Sequence, residues 1–174
     1  MSFGTSPLLT DPGRPAPDLA ATNAELATLT AMARRRHART IALGSGRTPH
    51  ATDTVRRIAE LWEGEGGQVI ETLTWPETGA SWFRPAARFA AARPDLWVMT
   101  GPTTGWAQMA SRLLWSTAWT PEQTLATAAI CDLPTLERVG MRLLDGLAGA
   151  DADGNPWLVS SNALLHPLPG RGDR

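Results

Sequence analysis

The chain has 174 residues, 43% of them hydrophobic, and a formal net charge of −1 at pH 7. This length is typical of one domain with a substantial core, and the balanced charge excludes a broad basic field for nucleic acid and an acidic tail. All sixteen basic residues are arginines, tyrosine is absent, and tryptophan occurs eight times.

The number of cysteines and the length of the apolar segments limit the classes of protein to which this chain can belong. Cys131 is the only cysteine, so the sequence predicts neither an internal disulfide nor a cysteine-based metal cluster. The start, MSFGTSPLLT, does not resemble a signal peptide, and no apolar run approaches the ~20 residues of a membrane span. We therefore expect a cytoplasmic protein that makes no contact with a membrane.

The predicted elements alternate between strand and helix after a first helix. Residues 1–18 contain four prolines, which predicts an extended arm, and the tail at 167–174 is expected to be loose. A helix is predicted at 18–36, because the segment is rich in alanine and leucine and ends in arginines that suit its dipole. Strands are then predicted at 39–43, 68–75, 95–101, 123–131 and 156–165, helices at 50–67, 80–94, 103–119 and 133–149, and a turn at 151–155.

Two patterns determine the predicted fold. Val55, Ile58 and Trp62 form one face of the helix after the first strand. The third strand is continuously apolar, as a strand buried on both faces should be. Alternating strands and helices imply right-handed crossovers and a parallel sheet covered on both sides. We predict a single α/β domain at 19–166, a three-layer sandwich with a mostly parallel, doubly wound sheet of about four to five strands.

The loops after the strands form the candidate site, because ligands of such sheets bind beyond the carboxyl ends of the strands. The first loop, GSGRTP, places Ser45, Arg47 and Thr48 at a helix N-terminus, where free N–H groups favour an anion. It matches neither G-x-G-x-x-G nor the P-loop with its lysine. Glycines are also common at plain turns, so the loop is either a polar-ligand site or only a connection.

The loop after the third strand, GPTTGW, is similar in style. Thr103 and Thr104 beside Trp106 are suited to bind a sugar or a flat ring. Alternatively, a threonine caps the helix and the tryptophan packs inward. Trp75 and Trp82 flank the second loop on the same predicted edge, so the three tryptophans mark a binding rim, the core or a subunit interface.

Few residues indicate catalysis. Trp62, Trp97 and Trp115 fall on apolar positions and are predicted to lie in the core. His50 and Asp53 can share a helix face, but one pair does not make a metal site. A lone cysteine is most often an inert core residue. The sequence therefore predicts binding or interaction, without catalysis, a metal or a cofactor.

The order of elements resembles the ligand-binding lobe of type I periplasmic binding proteins and of the lactose-repressor family of sensors. ELATLTAMARRRHARTIALGSG is similar to the family's helix and first strand, ARPDLWVM to a later strand, and LERVGMRLLDGLAG and WLVSSNALL to its last helix and strand. The chain has length for one of the two lobes and no helix-turn-helix, so we expect no direct nucleic-acid contact. The resemblance implies that a partner protein or a second copy covers a small polar ligand held among Ser45, Arg47, Thr48, Trp75, Thr103, Thr104 and Trp106.

A second resemblance competes with the first. GSGRTPHA is similar to the phosphate loop of flavin-mononucleotide (FMN) reductases of flavodoxin-like fold, and GPTTGWAQM to their flavin loop. This implies an FMN-dependent NAD(P)H reductase. Its phosphate would be held by Ser45, Arg47 and Thr48, and its flavin ring would be bordered by Thr103, Thr104 and Trp106. A third hypothesis is a structural subunit of a larger assembly, with the arm and the tryptophans as contacts.

Overall fold

The computed structural model describes residues 17–166, so the predicted tail and all of the predicted arm except residues 17 and 18 lie outside it. The helices of the described part are α1 Asn23–Arg35, α2 Pro49–Gly64, α3 Phe83–Ala91, α4 Thr103–Ser116 and α5 Leu133–Val139. Its strands are β1 Thr40–Gly46, β2 Gln68–Trp75, β3 Leu96–Thr100, β4 Thr124–Ala126, β5 Ala148–Ala150, β6 Pro156–Ser160 and β7 Ala163–Leu165.

The strands form one seven-stranded sheet in the order β2-β1-β3-β4-β5-β6-β7. The first five strands pair in parallel, and β6 and β7 are added as antiparallel strands at one edge. The predicted class, a three-layer α/β sandwich with a mostly parallel sheet, is confirmed. The sheet has more strands than predicted because two short strands were not recognised in the sequence.

Alternating side chains of the central strands separate two cores. Leu96 and Val98 of β3 pack with α1 and α2 on one face, whereas Trp97 and Met99 pack with the helices on the other face. Both sets are almost completely buried. This is the burial on both faces that the continuous apolar run of β3 predicts.

Helices α1 and α2, which cover one face of the sheet, follow sequence patterns. Thr22 and Glu25 form a capping box at the start of α1, which satisfies two backbone N–H groups that have no partner within the helix. The predicted apolar face of α2, with Val55, Ile58 and Trp62, is buried. These contacts attach α1 and α2 to the sheet in the predicted places.

The second half of the chain departs from the predicted elements. The predicted strand at 123–131 ends at Ala126, and its remainder forms a short 3-10 helix at Ala128–Ile130. The predicted helix at 133–149 ends at Val139, since Gly140 has φ 118°, a conformation that interrupts a right-handed helix. The first two residues of strand β5, Ala148 and Gly149, are the last two residues of that predicted helix.

The predicted last strand is a hairpin. Ser161 and Asn162 have φ 52° and 63° and form the turn between β6 and β7. Two consecutive residues with positive φ are typical of the tight turns that join antiparallel strands. One predicted element therefore supplies both antiparallel strands of the sheet.

The predicted core tryptophans divide into two groups. Trp62 and Trp97 are buried as predicted, but Trp115 is 63% exposed, so its assignment to the core was wrong. Trp115 lies in the last turn of α4, beyond the buried part of that helix. Its side chain therefore forms part of the surface.

Candidate ligand-binding edge of the sheet

The loops after β1 and β3 meet at the carboxyl edge of the sheet. Strand β1 lies between β2 and β3, so consecutive crossovers leave on opposite sides of it and create a crevice at this edge. The loops approach so closely that a Cβ added at Gly101 would lie 2.8 Å from the Gly46 nitrogen. The structure therefore brings the two glycine-containing loops singled out in the sequence together.

The N-terminus of α2 is already occupied by a carboxylate of the chain. Asp18 accepts a hydrogen bond from the Thr48 hydroxyl at 2.6 Å and one from the His50 backbone N–H at 3.1 Å. A carboxylate at this position is favoured by the free N–H groups and the helix dipole. Asp18 therefore takes the place that the sequence suggested for an external anion.

The N-terminus of α4 is occupied in the same way. The Glu77 Oε2 atom accepts a hydrogen bond from the Gly105 backbone N–H at 3.0 Å. The loop before α3 is held by the Trp82 indole, which donates to the Pro76 carbonyl oxygen at 2.9 Å. This bond fixes the backbone next to Glu77 and helps direct its carboxylate into the crevice.

Glycines leave the space that the Glu77 carboxylate fills. A Cβ at Gly105 would lie 2.6 Å from Glu77 Oε2, and a Cβ at Gly46 would overlap Glu77 Oε1. A Cβ at either position would force the Glu77 carboxylate to move, and at Gly105 it would also lie 3.0 Å from the Glu77 Cα atom. These glycines therefore fit the chain's own carboxylate.

Burial raises the pKa of Glu77, and the negative charge of Asp18 raises it further. The hydrogen bond from Gly105 acts in the opposite direction, because it stabilises the ionised form. The middle of the carboxyl edge thus carries two carboxylates close enough to interact.

Hydrogen bonds also join the elements on the side of the edge covered by α1. Glu25 of α1, 1% exposed, accepts a hydrogen bond from the Ala128 N–H at 2.7 Å, and burial raises its pKa. The Thr100 and Thr127 hydroxyls lie 2.7 Å apart and are buried. These bonds connect α1 and the end of β3 to the segment around residues 127–128, directly after β4.

The predicted site residues fall into a buried and an accessible group. Ser45 is 1% exposed, and Trp75 and Trp106 are fully buried. Trp82, suggested for the same rim, is 3% exposed. In this structure these rings belong to the core, which is one of the three alternatives that the sequence left open. Arg47 is exposed, Thr48, Thr103 and Thr104 are half-buried, and the Thr104 hydroxyl oxygen is itself buried. The contact of these residues with a ligand stays a prediction.

An open cleft lies at the same edge, beside β2. Its volume is about 530 Å³. The cleft is lined by Arg47, Leu73, Thr74, Pro76, Ser81, Phe83, Arg84, Pro85 and Arg88. Arg47 is the one predicted site residue among them. The cleft thus lies at the flank formed by β2 and the start of α3, whereas Asp18 and Glu77 occupy the helix N-termini in the middle of the carboxyl edge.

Sequence reasoning missed Asp18, Glu77, Phe83 and Arg84. Phe83 and Arg84 follow the second strand, so the rule that loops at carboxyl ends carry ligand residues pointed to their neighbourhood. Asp18 lies in a segment interpreted as an arm, and a lone glutamate in a loop carries no motif. The two carboxylates are recognised only from their contacts.

The described part also contains the thiol of Cys131. Burial raises the pKa of the Cys131 thiol to about 11, so very little of the nucleophilic thiolate forms at neutral pH. Within residues 17–166, no cluster of three or more histidine, cysteine or acidic side chains is arranged to hold a metal ion. No helix in this range is both long and apolar enough to cross a membrane.

No protein-family model matches the sequence, and no curated protein matches it significantly. Solved structures do share the fold. A substrate-binding periplasmic protein from Ralstonia solanacearum has a TM-score of 0.62 and 15% identity, over 87% of this chain and 42% of that protein. A leucine-binding protein from Thermotoga maritima has a TM-score of 0.58 and 14% identity, over 71% of this chain and 36% of that protein.

A third structure is a solute-binding protein of an ABC transporter from Rhodopseudomonas palustris, in complex with 3,4-dihydroxybenzoic acid. Its TM-score is 0.59 with 17% identity, over 74% of this chain and 35% of that protein. The chain therefore has the fold of type I periplasmic binding proteins, and it spans between 35% and 42% of the length of these three structures. At such low identities the likeness concerns the fold alone.

Proposed function

We propose that this chain is one lobe of a small-molecule-binding protein and that it binds a small polar ligand without transforming it. The observation that carries this proposal is the open cleft of about 530 Å³ at the carboxyl edge of a sheet with the fold of a ligand-binding lobe. Ligands of open α/β sheets bind at this edge. Solved proteins of this fold include one described as leucine-binding and one bound to a benzoic acid derivative.

A partner surface completes the site under this proposal. The cleft faces solvent on its outer side, and the chain spans well under half of the proteins that share its fold. We infer that a second lobe, a second copy or a partner protein covers the ligand. The link to lactose-repressor sensors and the cytoplasmic location remain predictions, and the similar solved structures include proteins described as periplasmic.

A thermal-shift screen tests the proposal. The purified chain is mixed with sugars, nucleosides, amino acids and organic acids, and hits are measured by calorimetric titration. A ligand that binds only the native state raises its apparent stability, so the proposal predicts at least one class of small molecule that raises the melting temperature. A panel without any saturable binder contradicts it.

The FMN-dependent reductase is kept as a second candidate because the parallel strands have the order 2-1-3-4-5, which flavodoxin-like sheets share. Its phosphate site would need Thr48 and the α2 N-terminus, which Asp18 occupies. Titration with FMN, followed by flavin absorbance, separates the candidates. A colourless chain that does not bind FMN is expected, and saturable FMN binding would favour the reductase.

A structural subunit remains the third hypothesis. The exposed Trp115 and Phe83 are large apolar side chains that a partner surface can cover. The mass in solution checks this: a strict monomer that forms no complex argues against a subunit role.

A further inference from the structure

Three arginines line the cleft beside β2, and two of them have no carboxylate partner within residues 17–166. Arg47 and Arg84 both line the cleft and are exposed. Neither forms a hydrogen bond or ion pair with any residue in the range 17–166. Arg88 differs, because both of its contacts with the Glu71 carboxylate are 2.9 Å long. No acidic residue lines the cleft, so two positive charges remain available there.

An aromatic ring lies beside these charges. Phe83 precedes Arg84 at the start of α3 and is 52% exposed. The Arg112 guanidinium lies 5.9 Å from the centre of the Phe83 ring, which helps keep the ring in place by a cation–π contact. Pro76 and Pro85 extend the apolar part of the lining. The cleft thus combines a charged side with an apolar side.

We propose that this cleft binds the oxyanion of a small organic ligand, a carboxylate or a phosphate ester, whose apolar body lies against Phe83. This inference rests on the proposed function and specifies the class of its ligand. Arginine remains protonated and presents planar pairs of N–H donors that match a carboxylate or phosphate. An apolar pocket wall with a few directed polar groups is the usual composition of a small-molecule site.

The middle of the edge is unsuited to the same anion. Asp18 and Glu77 lie at the starts of α2 and α4, and their negative charges would repel it. Arg47 and Arg84 line the cleft beside β2, whereas Asp18 and Glu77 are not among its lining residues. An anionic ligand is therefore expected beside β2 and not over the crevice between β1 and β3.

Titration with four probes tests the inference on the full chain. Phenylacetate and phenyl phosphate carry both an oxyanion and a ring, inorganic phosphate lacks the ring, and 2-phenylethanol lacks the charge. NMR titrations that follow backbone amides and arginine side-chain N–H groups report the position and strength of binding. We expect one or both of the first two probes to bind beside β2 more tightly than 2-phenylethanol, and their ranking identifies carboxylate or phosphate as the preferred group.

Variants identify the residues that bind. Arg47→Gln and Arg84→Gln are each expected to weaken oxyanion binding about tenfold, the effect of losing one charge-assisted hydrogen bond. Phe83→Ala is expected to weaken binding of the two probes that carry both an oxyanion and a ring, and to leave inorganic phosphate unchanged. Arg35→Gln is the matched control, because Arg35 is an exposed arginine in the last turn of α1. Melting temperatures of all variants check that they remain folded.

The remaining outcomes contradict the inference. It is overturned if no oxyanion probe binds, if 2-phenylethanol binds equally well, or if Arg35→Gln weakens binding as much as the two cleft variants. A neutral ligand from the thermal-shift panel that binds at the carboxyl edge would then leave the proposed function intact. If no compound of the whole panel binds, both the oxyanion inference and the proposed function are contradicted.

Discussion

The Glu77 Oε2 atom lies 3.0 Å from the Gly105 backbone nitrogen and accepts its hydrogen bond. This contact connects the loop after β2 to the first turn of α4 across the carboxyl edge of the sheet. It also places a carboxylate at a helix N-terminus. The chain itself therefore supplies the group that an external anion would supply there.

Gly105→Ala tests how closely this carboxylate fits. The new Cβ would lie 2.6 Å from Glu77 Oε2, so we expect a loss of about 1–3 kcal/mol in the free energy of unfolding, measured with urea. Gly64→Ala in α2 is the control, since a Cβ there has no neighbour within 4 Å. It should be neutral or stabilising by up to about 1 kcal/mol, because alanine favours helix more than glycine does. Equal stability of the two variants would show that the fit at Gly105 is loose.

The protonation of Glu77 predicts a pH dependence of stability. Its pKa is raised above the ordinary 4.5 by burial. In the window from pH 4.5 up to the native pKa, the native state holds a proton that the unfolded state has released, so the contribution of Glu77 to stability falls as pH rises.

Glu77→Gln retains an oxygen acceptor for Gly105 and removes the titration. The stability of the native chain relative to this variant should therefore decrease from about pH 4.5 toward neutral pH, as measured by urea unfolding at a series of pH values. Glu63→Gln, at an exposed position of α2, controls for the change in net charge. A difference that does not vary with pH would contradict a raised pKa at Glu77.

Asp18→Ala removes the carboxylate from the start of α2. Since Asp18 accepts bonds from Thr48 and His50, we expect a loss of about 0.5–2 kcal/mol, as for other helix caps. Hydrogen exchange of the His50 amide should become faster. Asp153→Ala is the control, because Asp153 is exposed in the turn before β6. Similar effects of the two changes would mean that Asp18 does not act as a cap.

Much of the fold follows from the sequence. Strand β2 occupies the predicted positions, and the continuous apolar run of β3 is buried on both faces. Strand β5 was missed because it consists of Ala148, Gly149 and Ala150, residues that are not favoured in strands. Its place is determined by pairing with β4 and β6, and a single sequence does not encode that pairing locally.

The candidate site was harder to predict for a similar reason. Arg47 could be identified because it follows a glycine turn after a strand. Glu77 and Gly105 are 28 positions apart, and although Gly105 belongs to the GPTTGW loop, no sequence pattern pairs it with Glu77. Tryptophans at strand ends suit a binding rim and a core equally well by composition. Only packing shows that Trp75 and Trp106 are completely buried.

Two tryptophan substitutions distinguish a core position from a position on the surface. Trp75 is fully buried and its ring centre lies 6.4 Å from that of Phe89. Trp75→Ala should therefore cost about 3–5 kcal/mol in the free energy of unfolding. Trp115→Ala removes the same side chain from a site that is 63% exposed, and its effect should stay within about 0.5 kcal/mol. A mild effect at Trp75 would argue for a ligand-facing ring there.

The most direct measurement is an amide NMR map of the chain with a mixture of small polar fragments. We expect shifts at the carboxyl edge beside β2, in residues 47–48 and 74–84. A second cleft of about 540 Å³ lies between α5 and β7 and is lined in part by Met141 and Leu164. It serves as an internal control for binding outside the carboxyl edge. Shifts confined to that second cleft, or the absence of saturable shifts at the carboxyl edge, would contradict the claim that this edge binds the ligand.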